Sequence, residues 1–381
     1  MARDAVGPSG AQPPLTAVIL TPADPAIGAL VVGGLPLGVR QARMLAGAGA
    51  VVGAPSGGRT LVIDGGWLID QRLLDALAGA PAPSVIVASG SDGGAETCVA
   101  ALLDPAAAET IRQPADLTAL APATAGLRLT AASIDPYTPS ARRDTPVRIQ
   151  RIAYPADARA VERNLLLDAQ RGVLDWPARF IDPVFEDALV RALWPTPISP
   201  NQVSLATLVL GLAGAVAFAF GAFWAGIAAA LVVEVLDGVD GKLARTRLQI
   251  TPMGELEHAA DKIVEYAWYL ALGFGLWRAG APAHYLVLGP VAALAMFVDV
   301  WIGTTAQKLL GRQLEDAGGF ERAFRLIGGR RNTHMWMLLG FGLFGAWRAG
   351  LVAIAVSAQA TALIRLWRLS VRVRTTGRRL F

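Results

Sequence analysis

The stretch Ser204–Val233 reads SLATLVLGLAGAVAFAFGAFWAGIAAALVV and contains no Asp, Glu, Lys or Arg. A membrane-spanning helix needs about 20 apolar residues, so this stretch and its flanks predict two closely connected helices. Four further apolar segments predict four more spans: Asp261–Trp277, Tyr285–Gly303, Met335–Trp347 and Leu351–Leu369. We therefore expect a six-helix, all-α transmembrane domain over residues 201–370. The alternative, a soluble all-helical core, would need polar faces at helical spacing, which these segments mostly lack.

The composition of the 381-residue chain agrees with a membrane protein. Hydrophobic residues make up 54% and charged residues 17%, and the mean hydropathy is +0.45, which excludes a disordered chain and an ordinary soluble enzyme. The single cysteine, Cys98, excludes a disulfide framework and a thiolate metal cluster. A net charge of +4 in an apolar chain favours anionic lipids or a phosphorylated substrate over nucleic acid.

Basic residues are concentrated in alternate connections between the predicted spans. Because positive charge marks the cytoplasmic side, we expect a multi-pass protein of the inner (cytoplasmic) membrane with both termini in the cytosol. Residues 371–381 would form a basic cytosolic tail. The residues behind this prediction are Lys242, Arg245 and Arg247, then Lys308, Arg312, Arg322, Arg325, Arg330 and Arg331, and finally Arg372, Arg374, Arg378 and Arg379.

Before the spans, residues 15–165 have the pattern of a cytosolic α/β domain, preceded by a flexible N-terminus at 1–14. Thr16–Leu20, Thr60–Asp64 and Ser84–Ala88 are predicted strands, and Val39–Ala46 and Gln71–Ala78 are predicted helices between them. Strands alternating with helices favour a parallel, Rossmann-like sheet.

Residues 166–200 are predicted to link the two domains. In Ala178–Trp194, apolar pairs recur every four positions and charged residues occupy the rest, which predicts an amphipathic helix on the inner membrane surface. The alternative is a helix packed on the soluble domain. Pro195, Pro197 and Pro200 would end this helix.

Acidic residues cluster at the end of the second span and the start of the third. Glu234–Arg245 reads EVLDGVDGKLAR, with Asp237 and Asp240 on one helix face, and Gly254–Glu265 reads GELEHAADKIVE, with acids four residues apart. Converging acids repel each other unless cations lie between them, and oxygen ligands without cysteine favour Mg²⁺ or Mn²⁺. The alternative is a solvated face with structural ion pairs.

At these residues the sequence resembles the CDP-alcohol phosphotransferases (phosphatidyltransferases), whose motif is D-x2-D-G-x2-A-R-x8-G-x3-D-x3-D. Six positions match at fixed spacing, namely Asp237, Asp240, Gly241, Ala244, Arg245 and Gly254. The second half departs from the pattern, because the strict third position holds His258. We assign the third acid to Glu257 and the fourth to Asp261, with a one-residue shortening after Gly254, and His258 is the alternative third position.

The resemblance, which covers about residues 165–375, implies a fold of six spans and a known chemistry. Two divalent ions (Mg²⁺ or Mn²⁺) would be held by Asp237, Asp240, Glu257 and Asp261. The residues of the first half of the motif, with Gly254, would bind a CDP-alcohol. Asp261 would take the proton of an acceptor hydroxyl that attacks the β-phosphorus, and CMP would leave.

Arginines between the fourth and fifth spans are candidates for binding an acceptor phosphate. Arg330 and Arg331 are the strongest of these, and topology control by positive charge is the alternative. No role is predicted for His334, and Trp268 and Tyr269 are predicted to contact lipid or pack in the core.

Residues 15–165 weakly resemble sugar-phosphate nucleotidyltransferases, through Gly33–Arg40 and through Asp64 at a strand end. However, Thr21–Gly28 lacks the glycine- and arginine-containing loop that holds a triphosphate, and Leu35 stands where that family has lysine. We therefore expect a degenerate, inactive domain. The pairing resembles the bifunctional inositol-phosphate cytidylyltransferase/di-myo-inositol phosphate phosphate synthases, which implies inositol phosphate as a candidate substrate.

Together these patterns predict an integral membrane enzyme of phospholipid or inositol-phospholipid synthesis that uses a CDP-alcohol donor and an alcohol acceptor. We expect contact with membrane lipids, a homodimer and no nucleic-acid partner. One alternative is a bifunctional enzyme that also makes its own CDP-inositol-type donor. An alternative of another class is a membrane cation transporter or scaffold that uses the acids as a cation site.

Overall fold

The computed structural model describes residues 15–22, 24–55, 58–89, 96–120, 126–139, 141–249 and 254–375, and for 254–258 it describes the backbone alone. The predicted N-terminal segment 1–14 and most of the basic tail lie outside the described residues. The chain divides into two compact units. The first comprises Met1–Thr138 and Asp144–Asp168, and the second comprises Pro139–Arg143 and Ala169–Phe381.

The first unit is built on short strands and helices in alternation. Its strands are β1 Thr16–Leu20, β2 Val31–Val32, β3 Leu35–Pro36, β4 Val51–Val52, β5 Thr60–Asp64, β6 Trp67–Ile69, β7 Ser84–Ala88, β8 Thr97–Leu103, β9 Arg128–Leu129, β10 Tyr137–Thr138, β11 Arg143–Asp144 (which extends into the second unit) and β12 Ile149–Arg151. Its helices are α1 Ala26–Ala29, α2 Leu37–Gly47, α3 Gln71–Gly79, α4 Pro105–Ala108, α5 Pro114–Ala119 and α6 Pro155–Ala169.

Six strands form the main sheet in the order β4-β1-β5-β8-β7-β9. The three predicted strands are confirmed with their bounds, and β1 pairs in parallel with both β4 and β5. The prediction of a parallel sheet is wrong at β8, which runs antiparallel to both β5 and β7. Sequence analysis missed β8, TCVAALL, because its alanines weaken the strand signal, although the sheet buries all but its first residue.

Apolar side chains from the centre of this sheet form the core of the unit. Val62, Val85, Cys98 and Ala101 are fully buried together with residues of α4 and α5. Strands that are buried on both faces are continuously apolar, as SVIVA in β7 is. Burial raises the pKa of the Cys98 thiol to about 12, so this thiol is unreactive while the unit is folded.

The second unit is helical. Its helices are α7 Trp176–Phe180, α8 Asp182–Leu193, α9 Pro200–Ala219, α10 Phe223–Thr246, α11 Gly254–Arg278, α12 Tyr285–Leu310, α13 Gly319–Ile327, α14 Arg331–Leu343 and α15 Trp347–Thr375. Among the described residues, three of these helices, α9, α12 and α15, are long and apolar enough to cross a membrane, which agrees with a membrane protein. The other predicted spans are helices as well, but α10 and α11 carry several charges and α14 has only 13 residues.

Close contact between helices in this unit depends on small residues. The Trp268 indole donates a hydrogen bond to the carbonyl oxygen of Gly211 at 2.7 Å, which ties α11 to α9. A Cβ added at Gly289 would overlap with the Tyr269 carbonyl oxygen, so α12 approaches α11 as closely as glycine allows. Trp268 and Tyr269 are both almost fully buried, which confirms their predicted packing role.

The predicted amphipathic helix is divided at Ile181 into α7 and α8. Pro183, in the first turn of α8, has no backbone N–H to continue the helix from α7. Its polar face points inward: Asp182 and Glu186 are 2% and 5% exposed, whereas the apolar side chains of the opposite face lie at the surface. These exposed residues are Phe180, Val184, Phe185 and Leu189.

Candidate active site

A cavity of about 370 Å³ in the second unit receives side chains from α7, α8, α10, α11 and the start of α14. Three of the predicted acids line this cavity: Asp237 and Asp240 from α10, and Asp261 from α11. Because α10 and α11 are joined by a short connection, the end of one helix and the start of the next face the same space. The structure therefore brings together the predicted acids whose side chains it describes.

Asp237 and Asp261 face a common cation, the guanidinium of Arg331. Arg331 Nη2 lies 2.8 Å from Asp237 Oδ2, and Arg331 Nη1 lies 3.6 Å from Asp261 Oδ1. The Arg331 side chain is 11% exposed, whereas those of Asp237 and Asp261 are 32% and 24% exposed. The two carboxylates thus remain accessible from the cavity while they share one positive charge.

Asp240 is held more rigidly than the other two acids. It is 3% exposed, and its Oδ2 accepts a hydrogen bond of 2.7 Å from the Ser204 hydroxyl of α9. Ser204 itself lies one turn after the Ser199 N-cap that begins α9. Ser204 at the start of α9 therefore orients the Asp240 carboxylate of α10.

The small residues of the motif differ in what occupies the space beside them. At Gly241 a Cβ would contact the guanidinium of Arg245, and both residues line the cavity. Arg245 Nε donates to the carbonyl oxygen of Ala169 at 2.9 Å. At Gly238 a Cβ would overlap with the Glu186 carboxylate, so this glycine makes room for α8 rather than for a ligand. Ala244 lies on α10 but not among the described lining residues.

The remaining motif positions lie at the start of α11. The helix begins at Gly254, and its backbone includes Glu257 and His258. Their side chains lie outside the described part of the structure. The choice between them as the third acid position is therefore still a prediction.

Within the described residues, no group of three or more His, Cys, Asp or Glu side chains lies close enough to hold a metal ion. The described residues nevertheless fit a hard divalent cation. Their donor atoms are carboxylate oxygens, which a hard divalent cation prefers. The carboxylates of Asp237 and Asp261 repel each other, and a cation between them, here the Arg331 guanidinium, offsets this repulsion.

Several arginines reach one edge of the cavity. Arg325 and Arg330 line it beside Arg331. Arg330 Nη1 is 3.7 Å from Asp299, and Arg325 Nη1 is 3.6 Å from Glu315. Burial by itself would raise the pKa of Glu315, but the charge of Arg365 and its hydrogen bond outweigh burial and lower the pKa to about 2.

Sequence analysis missed a pair of buried acids beside the motif. Asp182 of α8 and Glu234 of α10 both line the cavity, and each has a buried carboxyl oxygen without a hydrogen-bond partner among the described residues. Burial and the charge of Glu186 raise the pKa of Asp182 from 3.8 to about 7. The Trp336 indole donates to Glu234 at 3.1 Å. The signal that could have found Glu234 is a single acid directly after the apolar run at the start of α10.

Two lysines and a histidine also acquire partners that their sequence positions did not indicate. Lys242 lies 2.9 Å from Glu186 and 2.6 Å from Asp187, so it fixes α8 to α10. Lys262 pairs with Glu265 at 2.8 Å. His334, which had no predicted role, is fully buried and bonded through Nδ1 to the Tyr269 hydroxyl at 2.7 Å.

In the first unit, Asp64, the strand-end residue of the weak nucleotidyltransferase resemblance, is engaged locally. Its Oδ1 accepts a hydrogen bond from the Gly66 N–H at 2.8 Å, and burial raises its pKa. A cavity of about 320 Å³ lies elsewhere in this unit and is lined by no described acid. Arg40, at the end of the segment that resembles nucleotidyltransferases, is buried and donates to the carbonyl oxygens of Val32 and Gly33.

Residues 197–310 match the model of the CDP-alcohol phosphatidyltransferase family. The bifunctional IPC transferase and DIPP synthase of Rubrobacter xylanophilus is 33% identical over 217 residues, which cover 56% of this chain and 46% of that protein. The protein of the same name from Aquifex aeolicus is 28% identical over 159 residues, which cover 42% of this chain and 36% of that protein. The chain thus spans less than half the length of these curated relatives.

Solved structures with a similar helical region include Mycobacterium tuberculosis phosphatidylinositol phosphate synthase. Its crystal structure with CDP-DAG bound is 20% identical, covers 50% of this chain and 94% of its own, and has a TM-score of 0.39. Its complex with manganese and citrate is 21% identical, covers 50% of this chain and 88% of its own, and has a TM-score of 0.38.

The family match includes every motif residue from Asp237 to Asp261 and ends before Arg325. It agrees with the resemblance inferred from six motif positions at fixed spacing. Over residues 197–310 the chain is therefore similar to the CDP-alcohol phosphatidyltransferase family.

Proposed function

We propose that the protein transfers a substituted phosphate from a CDP-alcohol to an acceptor alcohol and releases CMP. The observation that carries this proposal is the meeting of Asp237, Asp240 and Asp261 at one cavity that Arg325, Arg330 and Arg331 also line. Acids suit a cation-assisted site for a diphosphate, and arginines suit a phosphate on the second substrate. Phospholipid or inositol-phospholipid synthesis is the setting that this chemistry favours.

Asp237, Asp240, Asp261 and Glu257 would hold two divalent ions, Mg²⁺ or Mn²⁺, with His258 as the alternative to Glu257. When bound, such ions would neutralise the charge of the diphosphate and orient it for in-line displacement. Asp240 is suited to a fixed ligand because Ser204 already orients its carboxylate. Gly241, Ala244, Arg245 and Gly254 would contact the CDP moiety.

Asp261 is the proposed general base. Its side chain is 24% exposed and lines the cavity, so an acceptor hydroxyl can approach its carboxylate. Removal of the hydroxyl proton makes the oxygen a stronger nucleophile toward the β-phosphorus, and CMP departs with the electrons of the broken bond.

Arg330 and Arg331 are the proposed contacts for an acceptor phosphate, together with Arg325 at the same edge. Arg330 and Arg325 lie 3.6–3.7 Å from their acidic partners, which leaves room for new hydrogen bonds to an anion. An alcohol that carries a phosphate, such as inositol phosphate, fits this arrangement. The match to relatives named bifunctional IPC transferase and DIPP synthase agrees with the sequence resemblance, which implies inositol phosphate as a candidate substrate.

We further propose that six helices enter the membrane, with the acids of α10 and α11 at its cytoplasmic face and both termini in the cytosol. These helices are α9, α10, α11, α12, α14 and α15. The apolar outer face of α7 and α8 would then rest on the inner leaflet. Cysteine-accessibility labelling of single cysteines in the α9–α10 and α12–α13 connections tests this topology. Labelling of both from the same side would contradict it.

The first unit is proposed to lack nucleotidyl-transfer activity, because Asp64 and Arg40 are both occupied by backbone partners. The alternative is a bifunctional enzyme that makes its own CDP-inositol-type donor. Incubation of the full chain with CTP, Mg²⁺ and inositol phosphate separates the two. Pyrophosphate release would overturn the proposal of an inactive unit.

The central experiment offers the purified chain a panel of CDP-alcohols and acceptor alcohols with Mg²⁺ and identifies the product by mass spectrometry. We expect CMP and a phosphodiester product. Metal-dependent cation flux in vesicles without CMP formation would instead favour a transporter.

The third acid is tested by comparing Glu257→Gln with His258→Gln. If Glu257 is a ligand, its variant loses CMP release and the His258 variant retains it. If instead only the His258 variant loses CMP release, the third position of the motif is His258, as the strict motif spacing has it.

A further inference from the structure

The guanidinium of Arg331 occupies the position between two motif acids that come from different helices. It lies 2.8 Å from Asp237 of α10 and 3.6 Å from Asp261 of α11. Arg331 is the first residue of α14, so this one side chain joins three helices at the cavity. Its Nε also donates to Asn332 Oδ1 at 3.3 Å, which orients the planar guanidinium.

The neighbouring Arg330 has a different partner. It lies 3.7 Å from Asp299 of α12, which also binds Arg365 at 2.5 Å. Arg330 and Arg331 are therefore adjacent in sequence and similar in chemistry, but among their described ion pairs only those of Arg331 include motif acids. This difference makes Arg330 a matched control for any effect that depends on the shared acids.

A divalent ion and the Arg331 guanidinium would compete for the same carboxylates. A magnesium ion binds carboxylate oxygens at about 2.0–2.1 Å, so it would be placed within a few ångströms of the guanidinium. Two cations at that separation repel strongly where water is scarce. Occupation by one therefore opposes occupation by the other.

We propose that Arg331 is a built-in counter-cation that neutralises Asp237 and Asp261 until a divalent ion displaces it. This inference rests on the proposed metal site and adds a regulator of its affinity. Without Arg331 the two acids would repel each other and attract metal more strongly. The displaced guanidinium becomes available to an anionic substrate, so metal binding and phosphate binding are coupled through one side chain.

The test measures Mn²⁺ binding to the full chain in detergent by the electron paramagnetic resonance signal of free Mn²⁺, without substrates. Arg331→Gln is expected to bind Mn²⁺ about tenfold more tightly than wild type. The free-energy change behind this factor lies between the contribution of an exposed ion pair and that of a buried one. Arg330→Gln is expected to stay within about twofold of wild type. Arg331→Lys keeps the charge but not the planar fork, and it should lie between wild type and the Gln variant.

Equal or weaker Mn²⁺ binding by Arg331→Gln would overturn the inference, and so would equal tightening in Arg330→Gln. If Arg331→Gln does not fold, the Mn²⁺ affinity of Arg331→Lys decides. Tighter Mn²⁺ binding than in wild type supports competition between Arg331 and the metal, and unchanged binding overturns it. If no variant binds Mn²⁺, the inference fails together with the metal site. CMP release by wild type would then show whether the proposed transferase activity survives that failure.

Discussion

The two units use aspartate in opposite ways, and the contrast explains which one has the features of an active site. Asp64 ends a strand in the first unit, as catalytic acids often do, but its carboxylate bonds to its own turn through the Gly66 N–H. Asp237 and Asp261 lie at helix ends in the second unit and share Arg331 across three helices. The position of an acid at the end of a strand or helix therefore does not by itself indicate function. Charged groups from separate elements that converge on the acid do indicate it.

Buried arginines differ between the units in the same way. Arg40 donates to neutral carbonyl oxygens of its own segment. Arg365 lies 2.5 Å from Asp299 and 2.7 Å from Glu315, so it compensates two buried charges. The buried Arg365 of the second unit thus compensates charge, whereas the buried Arg40 of the first unit hydrogen-bonds to backbone carbonyl groups.

The largest expected effect compares Asp261→Asn with Asp64→Asn. Loss of the general base should lower the rate of CMP release by about 10²–10⁴-fold, because the hydroxyl proton then has no acceptor. Asp64→Asn should leave the rate within about twofold. CMP release is measured with the full chain, and circular dichroism checks that both variants fold. A large loss in Asp64→Asn would make the first unit part of the reaction.

The next effect compares the stability of Arg365→Met with that of Arg40→Met. Arg365→Met leaves Asp299 and Glu315 buried without their main counter-charge and should lower the free energy of unfolding of the second unit by about 3–5 kcal/mol. Arg40→Met removes the hydrogen bonds to the carbonyl groups of Val32 and Gly33 and should cost the first unit about 1–3 kcal/mol.

Two probes separate these unfolding events. All tryptophans except Trp67 lie after residue 168, so their fluorescence reports on the second unit. Cys98 is the single cysteine and is fully buried, so its reaction with a maleimide reports on the first unit. Equal losses of stability in Arg365→Met and Arg40→Met would contradict this comparison. They would show that the compensation of buried charges by Arg365 contributes no more than the hydrogen bonds from Arg40 to backbone carbonyl groups.

A smaller effect concerns the pH dependence contributed by Asp182. Its pKa is raised by burial and by Glu186 to about 7, so the folded state holds a proton that the unfolded state releases near pH 4. Its contribution to stability is therefore complete below about pH 4 and is lost as the pH rises toward 7. In Asp182→Asn, the fall in unfolding free energy between pH 5 and 8 should be about 2 kcal/mol smaller, as tryptophan fluorescence would report. An unchanged slope would show that Asp182 is ionised in the folded state.

The smallest expected effect has the opposite sign and lies in the first unit. Hydrogen bonds from the backbone N–H groups of Arg112 and Gln113 lower the pKa of Asp116, with the Arg112 bond as the largest cause. Its stabilising contribution is present above pH 4 and is lost as the pH falls below that value. Asp116→Asn should therefore speed Cys98 labelling slightly at pH 7 relative to wild type. A variant that labels more slowly than wild type would contradict this sign.

Much of the site was predictable because its residues are close in sequence. Asp237, Asp240, Gly241 and Arg245 lie on consecutive turns of one helix, so their common face follows from helical periodicity. The three long apolar helices and the strands β1, β5 and β7 were predictable for a similar reason, since each satisfies its own hydrogen bonding or burial pattern. The antiparallel β8 was not predictable in this way, because strand direction depends on partners distant in the chain.

The sequence by itself determined the membrane domain, the two acid-bearing helix ends and the family motif, because these depend on local spacing and on apolar length. Only the tertiary structure decided that Arg331 lies between Asp237 and Asp261 and that Asp182 and Glu234 line the same cavity. It also decided that α8 turns its charged face inward. Packing excludes water, so each buried charge needs a partner of opposite charge. Which residues of separate helices become partners depends on that packing and not on any periodicity along the chain.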